Sequence, residues 1–195
     1  IDVLSATADD KITWYQNNGS QSFTASDITE NADNASSVYA IDLDSDGDID
    51  VLSASAADDK IAWYENNGSQ GFTTRTVVTN ADNAQSVYAI DLDSDGDIDI
   101  LSASRSDDKI AWYENNGSQS FTARTITTSA DGAFTVYAAD VDRDGDMDVL
   151  SASTEDDKIA WYENNGSESF TAHNITTSAA AARSVYAADM DNDGD

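Results

Sequence analysis

Trp14, Trp63, Trp112 and Trp161 are each 49 residues apart, and Asp42, Asp91, Asp140 and Asp189 keep the same step. An internal period of roughly 40–50 residues constrains this chain more than any local propensity. A unit of that size cannot bury its own faces and must stack on its neighbours, as in a propeller, a solenoid or an array.

Within one period the pattern is β throughout. SVYAIDL (86–92), IDILSAS (98–104), KIAWYEN (109–115) and SFTARTITT (120–128) are short runs mixing β-branched, aromatic and small residues, separated by turn signals such as Asn116-Gly117. No segment holds a 3.6-residue apolar stripe long enough for a helix. Four short strands per repeat are the arithmetic of a propeller blade, and the small residues of IDILSAS suit a strand covered on both faces. The expected fold is an all-β propeller of four 48–49-residue, four-stranded blades in one domain, 1–195. The repeats run approximately 1–41, 42–90, 91–139 and 140–188, with 189–195 completing the loop that continues at Ile1.

The ends fit each other. The chain opens IDVLSA, without a Met, and closes YAADMDNDGD; placed end before start, these read DMDNDGD-ID with no residue missing or spare. Three steps of 49 and one of 48 account for the 195 residues, the short step arising where LSATADDK stands for LSASAADDK. The chain reads as circularly permuted, a C-terminal strand around Val185–Met190 completing the N-terminal blade. That strand can pair within its own chain, closing a ring, or in a neighbouring copy, giving an array. The seamless ends favour a mature or excised period of a longer repeat protein or fibre.

The most chemically loaded feature is a nine-residue loop, DLDSDGDID at 42–50 and 91–99 and DVDRDGDMD at 140–148. Like charges packed this tightly repel unless something neutralises them. Alternate residues of a curved loop point inward, hard cations such as Ca²⁺ take six to eight oxygens, and Gly at the sixth position permits the turn. The expected ligands are Asp42, Asp44, Asp46 and Asp50 by carboxylate and Asp48 by its backbone carbonyl. Asp91, Asp93, Asp95, Asp97 and Asp99 form the second set, and Asp140, Asp142, Asp144, Asp146 and Asp148 the third. The fourth is split, Asp189, Asp191, Asp193 and Asp195 at one end and Asp2 at the other. The loop starts like an EF-hand but carries Ser53, Ser102 and Ser151 at position 12, where an EF-hand has Glu, and strands flank it. About four Ca²⁺ per chain are expected, favoured over Mg²⁺, which takes fewer protein ligands and more water.

Composition supports this reading by exclusion. With 38 acidic against 9 basic residues and a formal charge of −29, the chain lacks the basic patches that nucleic acid or an anionic membrane surface requires. No apolar run approaches the roughly 18 residues of a membrane span. Cys is absent, which removes disulfides, thiolate metal sites and a Cys nucleophile.

The loop between strands, followed by LSAS and KIAWYENNGS, resembles the FG-GAP/VCBS repeats and is similar to the calcium-binding blades of integrin α-subunits. The likeness covers the whole chain. It implies an extracellular propeller, secreted or at the cell surface, used in adhesion, display or ligand binding. Such propellers often have seven blades, whereas this chain has four repeats. The expected function is a non-enzymatic, calcium-stabilised structural or adhesive unit that self-associates or adjoins further repeats; the alternative is a glycan-binding, lectin-like propeller.

The remaining features read as structure. In each Trp-Tyr pair one ring should fill one blade interface and its neighbour the opposite one. Asn18, Asn67, Asn116 and Asn165, with Asn34 and Asn174, lie in glycosylation sequons, but Asn-Gly also suits a two-residue hairpin turn. Lys11, Lys60, Lys109 and Lys158 stand in DDK, where a salt bridge to the adjacent turn is expected. His173 has no counterpart in the other repeats and reads as a surface residue. There is no nucleophile elbow, P-loop or zinc motif.

Overall fold

The computed structural model of the chain describes residues 1–191 and 193. It contains fifteen strands and, among the described residues, no helix. Strands β1 (Val3–Thr7), β2 (Lys11–Asn17) and β3 (Phe23–Thr29) form a three-stranded sheet, blade 1. Blade 2 holds β4 (Ala35–Ile41), β5 (Asp50–Ser55), β6 (Lys60–Asn66) and β7 (Phe72–Val78). Blade 3 holds β8 (Ala84–Ile90), β9 (Asp99–Ser104), β10 (Lys109–Asn115) and β11 (Phe121–Thr127). Blade 4 holds β12 (Ala133–Ala139), β13 (Asp148–Ser153), β14 (Lys158–Asn164) and β15 (Phe170–Thr176). Every pairing is antiparallel, and strands adjoin in chain order.

The second strand of each complete blade, DVLSAS or DILSAS, is buried at all its positions, because both its faces meet another sheet. The core is therefore a set of slabs between blades. Trp63 of blade 2 packs with Val87, Ile100 and Tyr113 of blade 3. Trp112 of blade 3 packs with Val136, Val149 and Tyr162 of blade 4. Tyr64 shares the slab between blades 1 and 2 with Ile12 and Ala35. The Trp-Tyr pairs thus serve two interfaces at once, as strand alternation requires. The first serine of each such strand has a partner: Ser53 Oγ meets Tyr64 Oη at 3.2 Å, and Ser102 and Ser151 meet Tyr113 and Tyr162 at 3.1 Å; the hydroxyls of the second, Ser55, Ser104 and Ser153, are buried without a hydrogen-bond partner. Along the innermost strands the rings of Tyr39, Tyr88 and Tyr137 follow one another in a tilted series with centroids 5.0 Å apart.

Three of the sequence expectations change in detail. The Asn-Gly connection is a five-residue loop, 116–120 in blade 3. It is held by Asn116 Oδ1, which accepts from the amides of Ser118 and Ser120, and by Asn115 Oδ1, which accepts from Gly117 N. The two Asn side chains act as the turn's hydrogen-bond scaffold, and a two-residue turn is not formed. Lys60, Lys109 and Lys158 pair with Asp58, Asp107 and Asp156 of their own turns, but Lys11, in the turn one residue shorter, reaches Asp27 and Glu30 instead. Residues 182–190 form no strand, and no ladder joins them to β1 among the described residues. A strand exists only with a partner, and this segment lies against blade 4, where Tyr186 extends the tyrosine series to Tyr137 at 4.9 Å.

Candidate metal centre

Each complete blade carries the Asp loop between its first and second strands, so that the loop's ninth residue opens the fully buried strand. Asp50, Asp99 and Asp148 are accordingly inaccessible. Each is clamped by two amides from opposite sides. Asp50 Oδ2 accepts from Leu43 N at 3.1 Å, and Oδ1 from Asn66 N at 2.8 Å. Asp99 takes the same bonds from Leu92 and Asn115, and Asp148 from Val141 and Asn164.

Around this fixed carboxylate the loop winds tightly. Gly47, Gly96 and Gly145 have φ of 96–100°, a backbone region open to glycine. Their amides donate to Oδ2 of Asp42, Asp91 and Asp140 at 3.0–3.2 Å. Ser45, Ser94 and Arg143, at the fourth position, also take positive φ, a feature the sequence pattern does not announce.

Positions one, three and nine converge. Asp42, Asp44 and Asp50 bring a carboxylate oxygen each within 4.8 Å of one another, as do Asp91, Asp93 and Asp99, and Asp140, Asp142 and Asp148. Oxygens bound to one calcium at about 2.3–2.6 Å can be no more than about 5 Å apart, so the spacing fits. The other oxygen of the first aspartate supplies the second observation. Asp42 Oδ1, Asp91 Oδ1 and Asp140 Oδ1 are buried and lack any hydrogen-bond partner. Buried polar atoms nearly always have one, and an unpartnered carboxylate oxygen beside two further carboxylates is a place that could hold a cation. Burial also pushes the Asp99 carboxyl up to about 7 and raises Asp50, Asp44 and Asp93, against the opposing pull of their amide donors.

Positions five and seven stand outside these triads. Asp46, Asp95 and Asp144 accept from the amides of Asp48, Asp97 and Asp146 at 2.8–2.9 Å. The carboxylates of Asp48, Asp97 and Asp146 turn toward Gly68, Gly117 and Gly166 of the neighbouring loop. That leaves the backbone carbonyl as the group Asp48 can offer.

In the split fourth set, among the described residues, Asp2 does not join the other aspartates in a triad. Asp189, Asp191 and Asp193 gather at one end. Asp2 is exposed at the other, its carboxylate accepting from Asn17 N and Trp14 Nε1 at 2.8 and 3.0 Å; Asp195 lies outside the described residues.

Two functional groupings escape the sequence reading. The first Asn of NNGS ties the hairpin loop to the Asp loop: Asn66 Nδ2 donates to Ile49 O while its amide holds Asp50. Recurrence of the Asn pair in all four repeats was the available signal. The second grouping joins Asp93, Glu114 and Glu168 between blades 3 and 4. Arg124 offsets one of its three charges, pairing with both glutamates at 2.6 and 2.9 Å and lying over Trp112. His173 takes the place of this arginine in blade 4, stacked on Trp161 at 4.7 Å with Nε2 2.7 Å from Glu163.

An FG-GAP-like repeat profile matches the chain four times, over residues 1–53, 42–102, 91–151 and 140–195. The chain belongs to the FG-GAP-like repeat family. No curated protein matches it. Among solved structures it is similar to a lectin of Agrocybe aegerita, described as recognising non-reducing terminal N-acetylglucosamine. That likeness has 18% identity and a TM-score of 0.57, over 89% of this chain and 52% of the lectin. A protein from Lactobacillus plantarum gives 15% identity and a TM-score of 0.58, over 89% of this chain and 54% of that one. The chain spans about half the length of these two structures, and at such identities the likeness concerns the propeller fold.

Proposed function

We propose that this FG-GAP-like chain is an extracellular, non-enzymatic propeller unit whose blades are stabilised by Ca²⁺ and which serves a structural or adhesive role. The observation carrying the reading is the buried, unpartnered oxygen of Asp42, Asp91 and Asp140, each set among two converging carboxylates. Asp42, Asp44 and Asp50 would hold one ion, and their counterparts in blades 3 and 4 the next two. A bound Ca²⁺ supplies charge neutralisation and a rigid centre. The protein's own part is to fix the ninth aspartate through two amides and to turn the loop at its glycine. The triad carboxylates are thereby given a structural task, which supports the non-enzymatic reading. A location outside the cell accords with the weak affinity, roughly 0.1–1 mM, of extracellular calcium modules.

Calorimetric titration tests this reading. Three Ca²⁺ should bind per chain in that range, one per complete loop, with Mg²⁺ far weaker; absence of binding at several millimolar Ca²⁺ overturns it. A glycan-binding reading draws on the half-buried Trp14 and Trp161 at the two end blades and on the lectin neighbour. A glycan array in calcium distinguishes it from the first.

A further inference from the structure

We propose that the side chains capping the glycine amides guard this chain against cyclisation at Asn-Gly and Asp-Gly, and that Asn67, Asn116 and Asn165 are modification sites they keep closed. Nine of the ten glycines follow Asn or Asp. Such a pair suits the positive φ these turns adopt, but it is also prone to cyclise. The glycine nitrogen, with no side chain beside it, can attack Cγ of the preceding residue. At Asn the new N–Cγ bond closes a succinimide, the Cγ–Nδ2 bond breaks, and the amide proton leaves with Nδ2 as ammonia. Water then opens one of the two imide bonds, giving aspartate or isoaspartate. At Asp the leaving group is water.

The fold obstructs this route at every described example. Eight of the nine glycines are described, and each donates its N–H to a side-chain oxygen of an Asn or Asp other than the one before it. Gly19, Gly68, Gly117 and Gly166 donate to Oδ1 of Asn17, Asn66, Asn115 and Asn164 at 2.9–3.2 Å. Gly47, Gly96 and Gly145 donate to Asp42, Asp91 and Asp140, and Gly132 to Asp108 at 2.9 Å. The acceptors stand two, five or 24 residues before their glycine, so no single local motif accounts for them. The attacking nitrogen must shed its proton, and a hydrogen bond to the protonated form opposes that.

At the three asparagines a second restraint acts on the group under attack. Asn67 Oδ1 accepts from Ser69 N and Gly71 N at 2.9 and 3.1 Å, and Asn116 Oδ1 from Ser118 N and Ser120 N at 3.0 and 3.3 Å. Asn165 Oδ1 accepts from Ser167 N at 3.0 Å. Closing the ring requires Cγ to turn toward the glycine nitrogen and away from these donors. The guards are themselves anchored. Asn115 and Asn164 are 2% and 4% exposed, and their Nδ2 atoms donate to Ile98 O and Met147 O at 3.1 Å. An amide oxygen is too weak a base to take the glycine proton, so it blocks the attack without assisting it. Failure of the guard has a local consequence. Either product adds a carboxylate to a loop whose glycine already faces Asp97, and isoaspartate lengthens the backbone by a carbon.

Peptide mapping by mass spectrometry tests this, since conversion of Asn to either acid raises the mass of its peptide. The chain is incubated in mildly alkaline calcium buffer, folded or in denaturant. In the parent, conversion at Asn67, Asn116 and Asn165 should be roughly tenfold or more slower when folded, because at least two hydrogen bonds must break first. Equal rates overturn the proposal. Asn115→Ala removes one guard and should speed Asn116 alone by roughly five- to tenfold, with Asn67 and Asn165 as controls in the same chain. Asn115→Ser supplies a hydroxyl that caps the amide two residues on in the same way, though more weakly, and should fall between the parent and Asn115→Ala. Both variants lose the tie to Ile98, so the difference between them isolates the cap. An unchanged rate at Asn116, a rise shared equally by all three sites, or equal rates in the two variants overturns the role of Asn115. None of these readouts depends on which metal the loops hold.

Discussion

A β-carbon on Gly117 would stand 2.5 Å from Oδ2 of Asp97, so the glycine of the hairpin loop is fixed by an aspartate of the metal loop. The same relationship recurs between Gly166 and Asp146. The two loops are thus built as one unit, and the packing that keeps the seventh aspartate out of the carboxylate triad depends on a missing side chain 20 residues away.

Gly117→Ala should therefore both destabilise blade 3 and weaken its metal site. The residue has φ of 73°, so strain adds to the clash, and the cost should be about 1–3 kcal/mol. Gly96→Val, at φ 98° with open space around the added atom, should cost a similar amount through backbone strain alone. Thermal melts in calcium measure both, and an unchanged midpoint in either contradicts the loop geometry.

Asp91→Asn separates the two roles of charge in the loop. In calcium it should remove one equivalent of bound metal and lower the melting temperature. In chelator it should raise the melting temperature above that of the parent by roughly 2–4 °C, the shift about 1 kcal/mol gives a chain of this size, because one member of a repelling triad is gone. Calorimetry and melts in both conditions test the crossing; the same sign in both would show that repulsion is not what the cation relieves.

The sign of the pH dependence follows from Asp99. Its folded-state value of about 7 lies above the ordinary aspartate value, owing to burial, and Asp50, Asp44 and Asp93 shift the same way. A group held more protonated in the folded state contributes stability that is full below its unfolded pKa, about 3.9. That contribution is lost as pH rises through the folded value. Metal-free protein should accordingly be more stable near pH 5 than near pH 8. Saturating calcium, which favours the ionised carboxylate, should flatten or reverse the trend. Denaturant titrations at the two pH values decide it.

How far the sequence reveals this molecule depends on how local each feature is. The strands of a blade are legible because KIAWYEN and DILSAS alternate large and small residues in register with both interfaces, and the Asp loop because its triad falls within nine consecutive residues. Asn115 and Asn116 were harder to read, since a turn signal says nothing of the side chains that cap it. The fate of residues 182–190 was not legible at all. The segment's sequence repeats the pattern of β4, β8 and β12, but a strand forms only against a partner edge, which a local pattern does not supply.

His173 offers the last test. It looked like a stray surface histidine because no other repeat has His at that place, yet Arg75 and Arg124 occupy the same position, lying 5.2 and 5.1 Å over Trp63 and Trp112. In blade 4 the imidazole stacks on Trp161 and bonds Glu163, which preserves the ring contact and the acidic partner while shortening the reach. His173→Arg should restore the pattern of the inner blades and leave stability unchanged or raised by up to about 1 kcal/mol, the worth of an exposed cation–π contact. His173→Ala should uncover the indole and red-shift the Trp161 emission, at a cost of about 1 kcal/mol in lost ring contact. Melting curves and emission spectra of the two variants, with Trp14, Trp63 and Trp112 as the common background, test the assignment. Equal behaviour of the two substitutions would mean that the position carries no ring contact worth preserving.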